Sequence, residues 1–210
     1  MAREAHADRM TWTVGIYLFD GVEVLDFAGP FEVFSTAARL DGRREPPHPP
    51  IFVVATIGRG SGAIVARGGL RTQPAFGLED HPPLDVLIVP GGVVDVEMER
   101  PGVVDWLRRT ADTTTITASV CTGAFLLAQA GLLYGKTATT HWEDIDELRR
   151  LFPEVQVVED RRWVDVGPVV TSAGISAGID MSLYLVARLA GEELALQTAR
   201  QMQYDWRREP

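Results

Sequence analysis

The sequence predicts an α/β fold, a doubly wound and mostly parallel sheet with helices on both faces. Two observations predict it. Four short apolar runs are rich in β-branched residues, and helix-length amphipathic segments alternate with them. A continuous apolar run is typical of a strand that other elements cover on both faces, as in a parallel sheet. Strands are expected at 11–19, 51–57, 85–92 and 113–121.

The remaining elements follow from the same patterns. Apolar residues at helical spacing predict helices over 31–40, 103–111, 122–131, 143–152, 177–191 and 192–206. After Phe152 the pattern changes to three shorter strands, 155–160, 162–167 and 169–174, the first two arranged as a hairpin. The Pro-rich stretch 41–50 is a surface connection too short to separate domains. We expect one domain over 11–206 after a disordered extension over 1–10.

Composition and charge exclude several classes of protein. The chain has 210 residues, 46% hydrophobic and 23% charged, which is typical of a globular domain. No apolar run approaches the roughly 18 residues that span a bilayer, and the polar N-terminus lacks a signal-peptide core, so a cytoplasmic protein without membrane contact is expected. A net charge of −9 argues against a nucleic-acid partner, which needs clustered Lys and Arg.

Cys121 is the only cysteine and stands where a predicted strand becomes a predicted helix, in ITASVCTGAFLLAQAG. It cannot form an internal disulfide. In a doubly wound sheet, ligands bind beyond the carboxyl ends of the strands. A thiol at a helix N-terminus is favoured as thiolate, which predicts a pKa below the usual value of about 8.5. A free cysteine is most often a small buried hydrophobe, and this position is what favours a nucleophile instead.

Two further motifs follow other predicted strands. Asp26, in FDGVEVLDFAGPFEVF, precedes a helix with Pro30 in its first turn. Asp26 either caps this helix or faces the same crevice as Cys121, where burial would raise its pKa and suit it to carry protons. The glycines of Pro90-Gly91-Gly92 allow backbone N–H groups to approach a ligand, and with the amide of Thr122 they would bind developing negative charge.

His141, in TATTHWED, is the one histidine near an element boundary that would reach this crevice. It is the candidate alternative base for Cys121, although a histidine in the first turn of a helix is at least as often structural. The four histidines show no metal-ligand spacing and no second cysteine accompanies them. We therefore expect no metal and no cofactor.

Four motifs together resemble the ThiJ/PfpI superfamily of class I glutamine amidotransferase-like proteins, which implies a flavodoxin-like version of the doubly wound sheet. They are LDFAGP (25–30), PGG (90–92), SVCTGAFLLAQAGLLYGKTATTHW (119–142) and TSAGISAGIDMSLYLV (171–186), and the similarity runs from about Val14 to Tyr204. Within the superfamily, the sequence looks most similar to the isonitrile hydratases and to the amidase-like N-terminal domains of AraC-type regulators. The protease-like members carry a histidine directly after the cysteine and a glutamate as acidic partner. Thr122 and Asp26 replace them here, so a dyad of neighbouring residues is absent.

The resemblance implies a small-molecule enzyme. Cys121 would be the nucleophile, Asp26 the acidic residue hydrogen-bonded near it, and Thr122 the residue that follows the nucleophile. The implied reaction is hydration of an isonitrile to an N-substituted formamide through a cysteine thioimidate, with Gly174 and Ile175 lining the pocket. Superfamily members commonly pair, and apolar residues such as Phe31, Phe34 and Tyr204 lack an obvious second domain to cover them, so a homodimer is expected.

Three alternatives remain open. The first is glyoxalase or deglycase activity on methylglyoxal, which would use Cys121 with His141. The second is a non-catalytic effector-binding domain related to AraC-type regulators, although nothing resembling a helix-turn-helix follows Trp206. The third is a redox sensor that oxidises Cys121 to a sulfinate.

Overall fold

A six-stranded sheet forms the centre of the protein. The computed structural model describes residues 11–210, and the predicted extension over 1–10 lies outside the described residues. The strands of this part of the chain are β1 (Trp12–Leu18), β2 (Phe52–Gly58), β3 (Ile64–Val65), β4 (Arg71–Thr72), β5 (Val86–Val89), β6 (Ile116–Val120), β7 (Thr137–Ala138), β8 (Gln156–Val157), β9 (Trp163–Asp165) and β10 (Val169–Ser172). The central sheet has the order β2-β1-β5-β6-β10-β9, parallel except for β9, which pairs antiparallel with β10 at the edge. The predicted fold class is confirmed.

Six of the seven helices of the described chain pack in two groups, and α5 contacts β8 instead. They are α1 (Val24–Asp41), α2 (Asp95–Met98), α3 (Pro101–Ala111), α4 (Gly123–Gln129), α5 (Ile145–Leu151), α6 (Ala177–Ala190) and α7 (Glu192–Gln201). α1, α6 and α7 contact one another, and α1 packs on β1 and β2. α2 and α3 contact α4, which packs on β5 and β6. No helix of the described chain is long and apolar enough to cross a membrane.

The four predicted core strands are found, and the two central ones, β5 and β6, are buried on both faces. All four residues of β5 and all five of β6 are buried. Burial of apolar surface at about 25 cal/mol per Å² makes these central strands a substantial source of stability. The predicted helices over 103–111, 122–131 and 177–191 are also found, with small shifts of their ends.

Three predictions of local structure are wrong. α1 begins at Val24 rather than at residue 31, so Asp26 lies in its first turn and Pro30 lies inside the helix. The Gly29-Pro30 pair misled the prediction because proline usually marks the first turn of a helix. The segments 155–160 and 162–167 do not form a hairpin, since β8 pairs in parallel with β7 and β9 pairs with β10. The last helix ends at Gln201, not at 206.

After α7 the chain returns to the start of α6. The Trp206 indole N–H donates to the Asp180 carbonyl at 3.2 Å, and the Arg207 backbone N–H donates to Asp180 Oδ1 at 3.0 Å. The Asp180 side chain is fully buried and also pairs with Arg162. This segment therefore fixes the N-terminal turn of α6, which directly follows the loop containing Ile175.

Truncation of a β5 side chain should destabilise the fold strongly. Leu87 is 0% exposed at the centre of the sheet, and a buried Leu→Ala change typically costs about 2–5 kcal/mol through lost burial and the cavity left behind. We expect Leu87→Ala to lower the free energy of unfolding by that amount in urea denaturation. Leu196→Ala, at a position that is 46% exposed on α7, is the control and should change it by less than about 1 kcal/mol. Equal losses of unfolding free energy in the two variants would show that Leu87 does not lie in the stabilising core.

Candidate active site

Cys121 lies at the turn between β6 and α4. Its φ is 57°, in the left-handed region that non-glycine residues rarely adopt, and its side chain is 7% exposed. The turn is held from both sides, because the Thr140 hydroxyl donates to the Cys121 carbonyl at 2.9 Å and α4 starts at Gly123. A Cβ on Gly123 would lie 2.1 Å from the Val89 carbonyl oxygen, so only glycine fits there. The thiol is thus placed by backbone packing.

Asp26 meets the thiol from the first turn of α1. Its side chain is fully buried, its Oδ2 accepts the Gly91 backbone N–H at 3.0 Å, and the carboxyl group interacts electrostatically with the Cys121 thiol. The residue at the N-cap of α1 is Glu23, and no side chain caps this helix end. Asp26 therefore does not cap α1, and its buried carboxyl group lies beside Cys121 rather than in the pocket lining.

Burial governs the protonation of this pair. It raises the pKa of Asp26 to about 7, against the smaller opposing effect of the Gly91 N–H. Burial, and after it the charge of Asp26, raises the pKa of Cys121 to about 12. The prediction of a lowered thiol pKa is wrong, because it weighed the helix N-terminus of α4 and omitted desolvation and the carboxylate. At neutral pH the pair retains at least one proton between sulfur and oxygen.

Two backbone amides point at the sulfur. The N–H groups of Thr122 and Ile175 interact with the Cys121 sulfur and favour its charged form. Ile175 has a φ of 53°, a costly conformation for a β-branched residue, and this conformation belongs to the turn that presents its N–H. These two amides are the donors available to negative charge at the site.

The amides of Gly91 and Gly92 are engaged elsewhere. Gly91 donates to Asp26, and Gly92 donates to the Thr122 hydroxyl at 2.9 Å, which in turn donates to the Gly92 carbonyl at 2.9 Å. The expectation that the Gly92 N–H binds developing charge therefore does not fit this geometry. Both positions need glycine for a different reason: a Cβ on Gly91 would lie 2.5 Å from the Thr122 nitrogen, and one on Gly92 would lie 2.3 Å from the Gly21 oxygen.

His141 lies on the opposite side of the pocket, at the start of a 3₁₀ turn over Trp142–Asp144. Its Nδ1 is 3.4 Å from Asp144 Oδ2 and 3.8 Å from Glu143 Oε2. The ring packs on Gly174, where a Cβ would lie 2.0 Å from His141 Cδ2. His141 is therefore fixed beside two carboxylates.

A pocket of about 190 Å³ brings most of the predicted residues together. Its lining comprises Glu23, Arg67, Gly92, Cys121, Thr122, His141, Glu143, Asp144 and Ile175. Asp26 lies behind Cys121 and Gly174 lies behind His141. Glu23, Arg67, Glu143 and Asp144 were not singled out in the sequence. Glu23 could have been identified from the sequence as a pocket residue, because it precedes Asp26 by one helical turn. Arg67 follows β3, and no sequence motif marks it.

The described residues contain no group of three or more His, Cys, Asp and Glu side chains arranged to hold a metal ion. The chemistry of the pocket is that of a thiol, a carboxyl group and backbone amides. A family model described as the DJ-1/PfpI family matches residues 13–188. The chain belongs to the DJ-1/PfpI family.

Relatives within the DJ-1/PfpI family include an enzyme and regulators. The chain is 34% identical over 197 residues to an isonitrile hydratase of Pseudomonas putida, covering 93% of this chain and 79% of that protein. It is 32% identical over 184 residues to the HTH-type transcriptional regulator CdhR of Pseudomonas aeruginosa, covering 88% of this chain. The match spans 52% of that regulator, about half its length.

Solved structures of the family show the same fold. A ThiJ/PfpI family protein from Pseudomonas syringae superposes with a TM-score of 0.81 at 24% identity, over 93% of this chain and 76% of that chain. At this identity the likeness concerns the architecture of the sheet and helices. This comparison therefore bears on the fold and not on the choice between an enzyme and a regulator.

Replacing Asp26 with asparagine should stabilise the protein above neutral pH. The raised pKa of Asp26 means that its contribution to stability is fully present below about pH 4 and is lost as the pH rises through about 7. The asparagine side chain would keep an acceptor for the Gly91 N–H without a buried charge. We expect Asp26→Asn to raise Tm relative to the parent at pH 8 and much less at pH 4, as measured by differential scanning calorimetry. Asp105→Asn, at an exposed carboxylate, is the control. A difference in Tm between the variant and the parent that is independent of pH would contradict a raised pKa of Asp26.

Proposed function

We propose that the protein hydrates isonitriles to N-substituted formamides, with Cys121 as nucleophile and Asp26 as its acid–base partner. The observation that carries the proposal is the burial of these two side chains beside each other at the edge of a small pocket, where the charge of Asp26 acts on the thiol. The similarity to an isonitrile hydratase over 93% of the chain supports it. Water is the only other reactant, so no cofactor is needed.

The first step joins the thiol to the terminal carbon of the isonitrile. Asp26 accepts the thiol proton as the sulfur attacks, and it then delivers this proton to the same carbon. A C–S bond and a C–H bond form, and the C≡N triple bond becomes the C=N double bond of a thioimidate. The amides of Thr122 and Ile175 stabilise negative charge on sulfur.

The second step adds water to the thioimidate carbon. Asp26 takes one proton from the water as its oxygen bonds to carbon, and passes that proton to nitrogen. The tetrahedral adduct then collapses, the C–S bond breaks, and the remaining hydroxyl proton returns through Asp26 to sulfur. The products are the formamide and the original thiol, so one water is consumed and both side chains recover their starting forms.

A raised thiol pKa is compatible with this sequence of steps. A thiolate of higher pKa is intrinsically more nucleophilic, and the neighbouring base supplies it only when substrate is present. With the pKa of Asp26 near 7, the form with one proton on the pair dominates above that pH. The pair, rather than a resting thiolate, is therefore the active species.

Turnover of phenyl isonitrile should depend on both members of the pair. We expect Cys121→Ala to abolish formation of formanilide, followed by its ultraviolet absorbance, and Asp26→Asn to lower kcat/KM by about 100-fold or more. The parental kcat/KM should rise with pH through about 7, because the fully protonated pair has no base. His141→Ala is the matched control and should lose less than about 10-fold. An Asp26→Asn variant that hydrates phenyl isonitrile at the parental rate would contradict the role of Asp26 as acid and base. If His141→Ala loses turnover and Asp26→Asn does not, His141 rather than Asp26 acts as the base.

The relationship with regulators favours one second candidate, a pocket that binds an effector without converting it. About half of the regulator CdhR matches this chain, so a related domain occurs within a transcriptional regulator. Binding of phenyl isonitrile or its formamide without turnover, unchanged in Cys121→Ala, would favour this candidate over hydration.

We also propose that the protein is a homodimer. Of the three apolar residues that predicted an interface, Phe34 is in the core at 0% exposed and Tyr204 is half-buried, so neither supports it. Phe31 on α1 is 40% exposed and stays a candidate. Light scattering at micromolar concentration should give twice the chain mass of 23.0 kDa, and Phe31→Asp should shift it toward the monomer. Leu196→Asp on α7 is the control. A monomeric parent would contradict the proposal.

A further inference from the structure

A second and larger cavity adjoins the pocket of Cys121. Its volume is about 750 Å³. His141 and Ile175 line both cavities, so these two side chains form the boundary between them. Because the two cavities share this boundary, a substrate long enough to pass it would occupy both. The lining comprises Thr139, Thr140, His141, Trp142, Ile145, Glu159, Asp160, Arg161, Arg162, Ala173, Gly174, Ile175, Ser176 and Arg207.

The larger cavity carries an excess of positive charge. Three of its lining residues are arginines and two are acidic. Arg162 pairs with the buried Asp180, and Glu159 lies 3.6 Å from Arg149, so these charges are offset by partners outside the lining. Arg161 and Arg207 then face the cavity with Asp160 as the one remaining acid. This excess of one positive charge occurs in a chain whose net charge is −9.

Arg162 offers a hydrogen-bond donor that the protein does not use. One end of its guanidinium group binds Asp180, but its Nε–H is buried and has no acceptor within residues 11–210. A buried donor without an acceptor destabilises the folded protein. A small shift of the guanidinium group toward the cavity would expose this donor to an oxygen of a bound anion.

The small pocket has the opposite polarity. Glu143 and Asp144 lie beside His141, and Glu23 is paired with Arg67 at 3.5 Å. Two carboxylates thus remain uncompensated by arginine near the reacting group. Their negative charge stabilises the substrate nitrogen as it accepts a proton. Negative charge in the small cavity and positive charge in the large one suit a molecule whose two ends differ in charge.

We propose that the substrate of this site is an isonitrile that carries a carboxylate, held by Arg161, Arg207 and the Nε–H of Arg162 while its isonitrile carbon meets Cys121. The proposal rests on the proposed hydration and names the class of its substrate. Trp142, which is 76% exposed, provides a flat apolar wall for an aryl or alkyl segment between the two ends. A carboxylate, with one negative charge, matches the single excess positive charge better than a phosphate dianion.

The test measures binding, so that it does not depend on turnover. The probe is 4-formamidobenzoate, the hydration product of a carboxylated aryl isonitrile, and formanilide is the same molecule without the carboxylate. Isothermal titration at low salt should give the parent about 5- to 10-fold higher affinity for the carboxylate. The gain is modest because Arg161 and Arg207 are exposed, and it should shrink in high salt.

Variants at the two exposed arginines identify the subsite. Arg161→Gln and Arg207→Gln should each remove most of the preference and leave formanilide binding unchanged, and Arg161→Lys should restore part of it. The Arg207 anchor to Asp180 is a backbone N–H and survives substitution. Arg109→Gln, at an exposed arginine paired with Glu79, is the matched control and should bind both probes as the parent does.

The outcomes separate this inference from the proposed reaction. Equal affinity of the parent for both probes, or a preference that survives both Arg→Gln changes, would overturn the carboxylate subsite even if phenyl isonitrile is hydrated. Tighter binding of 4-formamidophenyl phosphate than of 4-formamidobenzoate would overturn the assignment to a carboxylate. A carboxylate preference that is lost in both variants supports the subsite even if phenyl isonitrile is not hydrated, in which case only the reaction fails.

Discussion

The contact between Asp26 and Cys121 is the constraint on which the rest of the structure depends. It requires the first turn of α1 to meet the end of β6, two elements far apart in the chain. The order of the sheet satisfies this requirement, because β5 lies between β1 and β6 and the Gly91 N–H that follows β5 binds Asp26 from the side. A shift of any of these three strands by one residue would separate the carboxyl from the thiol.

Close approach of backbone segments is the means by which this contact is achieved. Gly91 and Gly123 lie where a methyl group would overlap the backbone of a neighbouring loop. The Thr122 hydroxyl both gives and receives a hydrogen bond at Gly92, so it fastens the loop after β5 to the start of α4. The presence of threonine at position 122 is thus explained by the way its hydroxyl holds this loop. This role is distinct from direct participation in proton transfer.

The sequence predicts the parts of the site that lie at the ends of long buried strands. Cys121 and the two glycines of the PGG motif were identified because an apolar run ends at each of them and topology brings such ends together. Arg67 and Asp144 were missed because they belong to a loop after a two-residue strand and to a 3₁₀ turn, where packing rather than local pattern decides the structure. The pKa of Cys121 was mispredicted for a related reason. Desolvation depends on what surrounds a group in space, and a lone sequence does not give that.

The depth of the thiol has a consequence for thiol exchange. Cys121 is 7% exposed at the wall of a pocket of about 190 Å³ with Glu23, Glu143 and Asp144 in its lining. Thiol exchange requires three sulfur atoms nearly in line, so a disulfide as large as an oxidised tripeptide would have to bring both of its sulfur atoms into this small pocket. Anionic disulfides are further disfavoured by the carboxylates. The sulfur is accordingly protected by size and charge from mixed-disulfide formation, while a narrow linear molecule can still reach it.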